Sequence, residues 1–192
     1  MTLDVVIPTF NRSALLKATL LSLFRSPIPR GLEVRVLVVD NNSQDNTAAL
    51  VQTLSQRAQV PVSYLLERAQ GSSHARNAGI RAGRGDLIGF IDDDEEIVEG
   101  WYDAVYREFQ DPALEFIGGP CLPNWESPAP DWLPPGYHSV IGAIPPKPRG
   151  PYNDAHPGIL NGGNSVIRRR VFDQIGLYSK HLGRGAKGLL SE

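Results

Sequence analysis

Short apolar runs alternate with stretches of helical periodicity over most of the chain. The apolar runs cover residues 5–7, 34–39, 62–66 and 87–91, and the periodic stretches that follow them cover residues 13–25, 47–57, 73–82 and 100–109. Runs that are nearly continuous in valine, isoleucine and leucine are typical of strands buried on both faces of a sheet. Four strand-then-helix units in series predict an α/β fold, in which helices flank a mostly parallel central sheet and the crossovers are right-handed.

The composition changes after the fourth unit. Residues 120–157 contain 11 of the 16 prolines and two of the three tryptophans. Because proline lacks a backbone donor and disrupts helix interiors, this segment is predicted to be irregular. A short strand at 162–167 and a helix over 169–175 are expected to follow it. We interpret residues 1–119 and 120–192 as two parts of one domain.

The overall composition narrows the possible partners. A length of 192 residues suits one α/β domain, and a formal net charge of −2 gives no reason to expect nucleic acid as a partner. The single cysteine, Cys121, offers no intramolecular disulfide, which weakly favours a reducing compartment. Neither a signal peptide nor an apolar stretch long enough to span a bilayer is found, so we expect a cytoplasmic protein; peripheral attachment to the inner face of a membrane stays open.

Polar residues follow each of the four predicted strands. Together with the adjoining Pro8 they are, in chain order, Thr9, Asn11 and Arg12, then Asp40 and Asn42, then Glu67, and finally Asp92, Asp93 and Asp94. The carboxyl ends of parallel strands lie at one edge of a sheet, where ligands bind in open α/β folds. Any one of these residues is equally well explained as a turn former or helix cap. Polar residues at all four strand ends favour a binding site.

The three consecutive aspartates are the most distinctive of these strand-end residues. Two unit charges about 4 Å apart repel by roughly 4 kcal/mol at an effective dielectric constant of about 20. A solvated loop would tolerate that repulsion, but this run directly follows the apolar residues 87–91. A divalent cation would relieve it, and oxygen ligands suit Mg²⁺ or Mn²⁺, with substrate phosphates completing the coordination shell.

The third predicted helix begins with a possible anion site. The sequence G-S-S-H-A-R-N at residues 71–77 puts Arg76 in the first turn, where the helix dipole also favours anions. A guanidinium held there suits a diphosphate, although a solvent-facing arginine is the plain alternative. The G-x-G-x-x-G pattern at residues 183–188 follows no predicted strand, so a dinucleotide-binding fold is not expected.

Together these segments resemble the inverting glycosyltransferases of family 2, which have the GT-A fold. The similar segments are V-V-I-P-T-F-N-R at 5–12, V-V-D-N-N-S at 38–43, G-S-S-H-A-R-N at 71–77, F-I-D-D-D at 90–94, N-G-G-N at 161–164 and I-G-L-Y at 175–178. The resemblance implies a nucleoside-diphosphate-sugar donor, most commonly a UDP-sugar, and a Mn²⁺ or Mg²⁺ cofactor. It also implies inverting transfer to a saccharide or lipid-linked acceptor, with residues 120–192 on the acceptor side.

The resemblance also implies individual roles. The residues expected to contact the nucleotide or its sugar are Pro8, Thr9, Asn11, Arg12, Asp40, Asn42, Glu67, Arg76, Asp92, Asp93, Gly163 and Asn164. Among these, Asp40 would bind the base and Arg76 would approach the ribose or diphosphate. Asp94, with Asp92, would hold the metal ion.

The catalytic base is the weakest part of the resemblance. The family places it in an acidic pair after a leucine-rich run, and the run G-L-L-S-E ends here at Glu192. Glu192 is therefore the candidate, the expected aspartate base is absent, and we expect an incomplete enzyme with a truncated C-terminal part. Glu126 and Asp154 are the next candidates. A nucleotide-sugar-binding module that does not transfer stays open as an alternative, as does, at lower rank, a sugar-1-phosphate nucleotidyltransferase.

Overall fold

The fold is built on six strands and five α-helices within the part of the chain that the computed structural model describes, residues 1–125, 127–146, 150, 160 and 162–181. The strands are β1 (Thr2–Thr9), β2 (Glu33–Asp40), β3 (Val62–Leu66), β4 (Leu87–Phe90), β5 (Phe116–Gly118) and β6 (Ser165–Arg168). The helices are α1 (Ser13–Arg25), α2 (Thr47–Ser55), α3 (Ser72–Ala82), α4 (Trp101–Glu108) and α5 (Arg169–Ile175), and a 3₁₀ helix covers Pro135–Ile141.

The strands form one mixed sheet in the order β3-β2-β1-β4-β6-β5. The first four strands are parallel to one another, and β6 runs antiparallel to both of its neighbours. Thr9 of β1 pairs with Asp40 of β2, and Asp40 pairs in turn with Leu66 of β3. The carboxyl ends of these strands therefore lie at one edge, and the prediction of a mostly parallel sheet is confirmed.

Both faces of the sheet are buried at its central strands, whereas the edge strand β3, which the sequence predicted to be buried on both faces, is partly exposed. On one face, Val5 and Ile7 of β1 belong to a core that includes apolar side chains of α1, α2 and α4. On the other face, Val6 packs with apolar side chains of α3 and α5. An added Cβ on Gly79 of α3 would overlap the side chain of Val6, so α3 packs directly on the sheet. Helices cover both faces, as the sequence pattern predicts.

A buried carboxylate ties the start of β1 to the antiparallel side of the sheet. Asp4 is 1% exposed, and its Oδ1 accepts from Arg35 Nε over 2.8 Å. Its Oδ2 accepts from the backbone amides of Arg84 and Gly85. Nη2 of Arg169, on α5, lies 3.5 Å from the same Oδ2. This charge is therefore compensated by ion pairs and by the loop before β4, as a buried charge requires.

The segment after α4 differs from the sequence expectation. The three residues of β5 form an edge strand that was not predicted. The proline-rich segment contains a short antiparallel bridge, in which Cys121 and Ile144 exchange two backbone hydrogen bonds. The strand expected at 162–167 begins only at Ser165 and ends at Arg168, because the preceding glycine-rich residues form a bend.

Candidate active site

A cleft of about 1970 Å³ opens at the carboxyl edge of the sheet. Its walls come from the turns after β1 and β4, the first turn of α3, and the proline-rich segment. The residues proposed from the sequence that line it are Pro8, Thr9, Arg12, Arg76, Asp92, Asp93, Asp94 and Asn164. The other proposed residues within the described part, Asn11, Asp40, Asn42, Glu67 and Gly163, lie outside the lining.

Asp93 is the buried member of the aspartate run. Its side chain is 7% exposed, and its Oδ2 accepts from Thr9 Oγ1 over 2.7 Å. Its Oδ1 accepts from Arg12 Nη1 over 3.2 Å, and its backbone carbonyl accepts from Thr19 Oγ1 over 3.0 Å. Burial raises the pKa of Asp93, and the Thr9 hydrogen bond and the Arg12 charge oppose that shift. Asp93 thus fixes the turn against β1 and α1.

Asp92 and Asp94 are the accessible members of the run. Their side chains are 38% and 46% exposed, and both line the cleft. Arg76 Nη2 lies 2.9 Å from Asp92 Oδ1, and Arg12 Nη1 lies 2.9 Å from Asp94 Oδ2. The attraction of Asp93, followed by that of Asp94, raises the pKa of Arg12 against the opposing effect of burial. Each accessible carboxylate therefore faces a guanidinium.

These two carboxylates have the chemistry to hold a hard divalent cation. Mg²⁺ is commonly bound through one or two carboxylates together with substrate phosphates. Over the described residues, no group of three or more histidine, cysteine or acidic side chains is placed to hold a metal ion by itself. Asp92 and Asp94 fit a site that a ligand phosphate completes, and they do not fit a closed structural metal site.

Arg76 is held inside the cleft wall and does not face solvent. Its side chain is 17% exposed, and its Nε is buried without a hydrogen-bond partner in the described part of the chain. An added Cβ on Gly162 would lie 2.9 Å from Arg76 Nη2, so glycine leaves room for the guanidinium. The solvent-facing alternative for Arg76 is therefore wrong.

Asp40 is buried beneath the loop that follows β2. The residue is 2% exposed, and its Oδ1 accepts from the Ser43 amide over 2.8 Å. Its Oδ2 accepts from the Tyr64 hydroxyl over 2.6 Å. Burial, followed by the hydrogen bond to Asp40, raises the pKa of Tyr64 to about 12. Both carboxylate oxygens of Asp40 therefore accept hydrogen bonds from within the protein. The role of Asp40 in binding the base stays a prediction.

Side-chain hydrogen bonds fasten the loops after β1, β2 and β3 to one another. Asn11 Oδ1 accepts from the Gln44 amide over 2.7 Å, and Asn11 and Asn42 have the positive φ values of 54° and 72°. Asn41 donates to the carbonyl oxygen of Glu67 over 3.1 Å and accepts from the Gly71 amide over 2.7 Å. These loops thus form a connected rim of the cleft.

The residues Gly163 and Asn164 contact protein groups at the far side of the cleft. Asn164 Oδ1 accepts from Trp101 Nε1 over 2.8 Å, and its Nδ2 donates to the carbonyl oxygen of Pro120 over 2.7 Å. An added Cβ on Gly163 would overlap the carboxylate of Glu95. The loop before β6 is therefore packed against α4, the aspartate turn and the start of the proline-rich segment.

Sequence reasoning missed several residues that hold the site together. Thr19 is a fully buried polar residue on the apolar face of α1. A polar side chain among the apolar positions of this helix is the feature of the sequence that could have indicated its role. Glu95 directly follows the three aspartates, and the local sequence gives it no role separate from theirs. The contacts of Asn41 and Trp101 join residues far apart in the chain, so no local pattern could reveal them. Glu192, Glu126 and Asp154, the candidates for the base, lie outside the described residues.

A match to a protein-family model establishes the family to which this chain belongs. The model of "Glycosyl transferase family 2" matches residues 4–176. The chain belongs to glycosyltransferase family 2. The resemblance inferred from the motifs is confirmed, and the match runs from β1 to the end of α5.

The curated relatives include glycosyltransferases and a saccharide-biosynthesis protein. The succinoglycan biosynthesis protein ExoM of Rhizobium meliloti is 28% identical over 140 residues, which are 72% of this chain and 45% of ExoM. The GalNAc(5)-diNAcBac-PP-undecaprenol beta-1,3-glucosyltransferase of Campylobacter jejuni is 33% identical over 122 residues, 62% of this chain and 38% of that protein. The chain thus spans less than half the length of these relatives.

Solved structures with the same fold are GT-A glycosyltransferases. The mannosyltransferase PcManGT from Pyrobaculum calidifontis, in complex with GDP-Man and Mn²⁺, matches 92% of this chain and 47% of its own, with a TM-score of 0.67 at 20% identity. TarS of S. aureus in complex with UDP-GlcNAc matches 91% of this chain and 47% of its own, with a TM-score of 0.61 at 17% identity. The fold is therefore GT-A. No helix in the described ranges is long and apolar enough to cross a membrane.

Proposed function

We propose that the cleft is the donor site of a metal-dependent, inverting glycosyltransferase that uses a nucleoside-diphosphate sugar, with UDP as the preferred nucleotide. One observation carries the proposal: Asp92 and Asp94 line the cleft, and each is paired with a guanidinium. A diphosphate needs compensating positive charge, and a metal ion needs oxygen ligands. The cleft offers residues of both kinds within one wall.

In this proposal the two arginines receive the diphosphate. Arg76 is the fifth residue of α3, just after the first turn and not within it as the sequence predicted, and it lies near the helix N-terminus, whose dipole favours an anion. Arg12 lies across the aspartate turn from it. Asp92 and Asp94 would hold Mn²⁺ or Mg²⁺, which when bound supplies Lewis-acid stabilisation of the departing diphosphate. Asp93, anchored by Thr9, keeps the turn in place.

The nucleoside would occupy the rim formed by the loops after β1, β2 and β3. We assign base recognition to Asp40, supported by its position at the end of β2 beside Asn41, which lines the cleft. The other rim residues assigned to the nucleotide are Pro8, Thr9, Asn11, Asn42 and Glu67. Their support is the network of hydrogen bonds that joins these loops.

We assign residues 1–119 to donor binding and residues 120–192 to the acceptor side of the same domain, with Gly163 and Asn164 at their border. The proline-rich segment supports this, because Pro120–Asn124 and Ile141–Ala143 form the cleft wall beyond the aspartates. The acceptor hydroxyl would lose its proton to a carboxylate base and attack the anomeric carbon from the side opposite the diphosphate, which inverts its configuration.

We propose a saccharide or lipid-linked acceptor. The Campylobacter relative is named for an undecaprenol-linked acceptor, and a saccharide-biosynthesis protein is among the other relatives. A lipid-linked acceptor would bring the protein to a membrane surface, and we place it there as a peripheral protein on the cytoplasmic side.

Calorimetry against a panel of nucleotide sugars tests the proposal. UDP- and GDP-sugars are titrated with Mn²⁺ and with excess chelator, and product formation is then measured with the donor that binds. Metal-dependent binding of a nucleotide sugar followed by transfer supports the proposal. Binding without transfer fits both the incomplete enzyme expected from the sequence and a nucleotide-sugar-binding module, and no binding by any member of the panel would contradict a donor site.

A further inference from the structure

Glu95 occupies the junction of three segments that meet at the cleft. Its Oε2 accepts from the Asp92 amide over 3.1 Å, which ties it to the aspartate turn. Its Oε1 accepts from the Cys121 thiol over 3.3 Å, at the start of the proline-rich segment. Its carboxylate also lies against Gly163, where an added Cβ would overlap it. One side chain therefore contacts the donor-side turn, the acceptor-side segment and the loop before β6.

Two adjacent glycines give this junction its shape. Gly162 leaves room for the guanidinium of Arg76, and Gly163 leaves room for the carboxylate of Glu95. Arg76 holds the side chain of Asp92, and Glu95 holds its backbone amide. Asp92 is thus fixed from two directions by side chains that pack against neighbouring glycines of one loop.

The placement of Glu95 differs from that of the three aspartates before it. It is half-buried, and burial raises its pKa against the opposing hydrogen bond from the Asp92 amide. Its two oxygens have partners in two different segments, whereas Asp92 and Asp94 are accessible to the cleft. A carboxylate engaged in this way is suited to holding neighbouring groups in position.

We propose that Glu95 is a positioning residue that orients the aspartate turn for metal and diphosphate and holds the proline-rich segment against it. It acts through the Asp92 amide and through the contact with Cys121, and it does not itself bind the metal ion. The part of this inference that concerns metal and diphosphate rests on the proposed function. The contact between Glu95 and Cys121 can be tested without any ligand.

The test compares three variants with one control. Glu95→Ala removes both contacts, Glu95→Gln keeps an oxygen that can accept from the Asp92 amide, and Gly163→Ala displaces the carboxylate by its methyl group alone. Glu99→Gln is the control, because Glu99 is an exposed neighbouring carboxylate. Thermal melting establishes that each variant is folded before it is used.

The first readout is UDP binding by calorimetry, with Mn²⁺ and with chelator. Glu95→Ala and Gly163→Ala should weaken the Mn²⁺-dependent affinity by about 10-fold, the loss typical of removing a group that orients a metal ligand. Metal-free UDP binding should stay unchanged in Glu95→Ala, and Glu95→Gln should retain most of the wild-type affinity. Equal losses in Glu95→Gln and Glu95→Ala would overturn the proposal, because the charge and not the hydrogen bond would then matter.

The second readout is the alkylation rate of Cys121, which is the single cysteine of the chain. The rate is followed over a pH series to its plateau, where the thiol is fully ionised and the rate reports access. It should rise several-fold in Glu95→Ala and stay at the wild-type value in Glu99→Gln. An unchanged plateau in Glu95→Ala would overturn the proposal. If wild-type protein binds no UDP with Mn²⁺, the proposed function fails, and the plateau rate alone still decides whether Glu95 holds this segment.

Discussion

Arg76 Nη2 donates to Asp92 Oδ1 over 2.9 Å, and this contact joins the N-terminal half of α3 to the aspartate turn after β4. The two residues are 16 positions apart in the chain. The pair brings together a cationic group suited to a diphosphate and a carboxylate suited to a metal ion. The ends of two parallel strands thereby become one site.

Loss of the Arg76 guanidinium should weaken diphosphate binding. Arg76→Ala is expected to reduce the UDP affinity by about 1.5–3 kcal/mol, the range for a hydrogen bond to a charged group. Arg76→Lys should restore only part of this, because lysine keeps the charge but lacks the planar pair of donors. Calorimetry with Mn²⁺ measures both. Arg81→Ala, on the exposed end of the same helix, is the control, and equal affinities in Arg76→Ala and Arg81→Ala would refute the role.

Asp40 should contribute to nucleotide binding through its position beneath the rim. Asp40→Ala is expected to weaken UDP binding by about 1–3 kcal/mol, as the loss of a charged hydrogen bond and the rearrangement of the loop predict. Tyr64→Phe removes one internal partner of Asp40 and leaves its carboxylate in place. Tyr64→Phe should therefore bind UDP more tightly than Asp40→Ala does. Unchanged affinity in a folded Asp40→Ala variant would contradict the assignment.

Asp4 should be essential to stability and not to ligand binding. Asp4→Ala leaves Arg35 and Arg169 without their carboxylate partner in the sheet. It also leaves the amides of Arg84 and Gly85 without their acceptor, and a buried donor left unsatisfied costs about 1–3 kcal/mol, so the free energy of unfolding should fall by about 2 kcal/mol or more in denaturant titrations. Glu33→Ala, an exposed position on β2, serves as the control. A loss no larger than that of the control would refute this account.

Asp45 should give the protein an acid-dependent contribution to stability. Its hydrogen bond with the Thr47 side chain, aided by backbone bonds from Ser13 and Thr47, lowers the pKa of Asp45 from 3.8 to about 2. Because the folded-state pKa is the lower one, the stabilisation is present above pH 3.8 and is lost as the pH falls through about 2. Carboxyl-carbon NMR titration should find Asp45 near 2, and Asp45→Asn should remove this pH dependence. A measured pKa near 3.8 would contradict it.

The fold was predictable because its signals are local. Continuous apolar runs and helical periodicity identified the four parallel strands, and the bounds of α5 agree with the sequence prediction. The edge strand β5 was missed because its three residues are too few to show a periodicity. The late start of β6 at Ser165 was missed because the glycine-rich bend before it is set by packing against Arg76 and Glu95.

Eight of the residues proposed from the sequence line the cleft, and their roles in binding stay predictions, whereas their contacts could not be predicted. Strand order brings polar strand ends to one edge, so the cleft followed from the parallel sheet. The sequence could not predict that Asp93 is buried while Asp92 and Asp94 are accessible, because this difference depends on the contact with Thr9, which is 84 positions away. The internal partners of Asp40 were hidden for the same reason, since Tyr64 belongs to a different strand.

The measurement that tests the central claim most directly is the calorimetric titration of UDP into the wild-type chain and Asp94→Asn, each with Mn²⁺ and with excess chelator. The account predicts that Mn²⁺ strengthens UDP binding in the wild type, and that Asp94→Asn loses most of this gain, by about 10-fold or more. Glu99→Gln should behave as the wild type. Equal UDP affinity with Mn²⁺ and with chelator in the wild-type chain would contradict a metal-dependent donor site at Asp92 and Asp94.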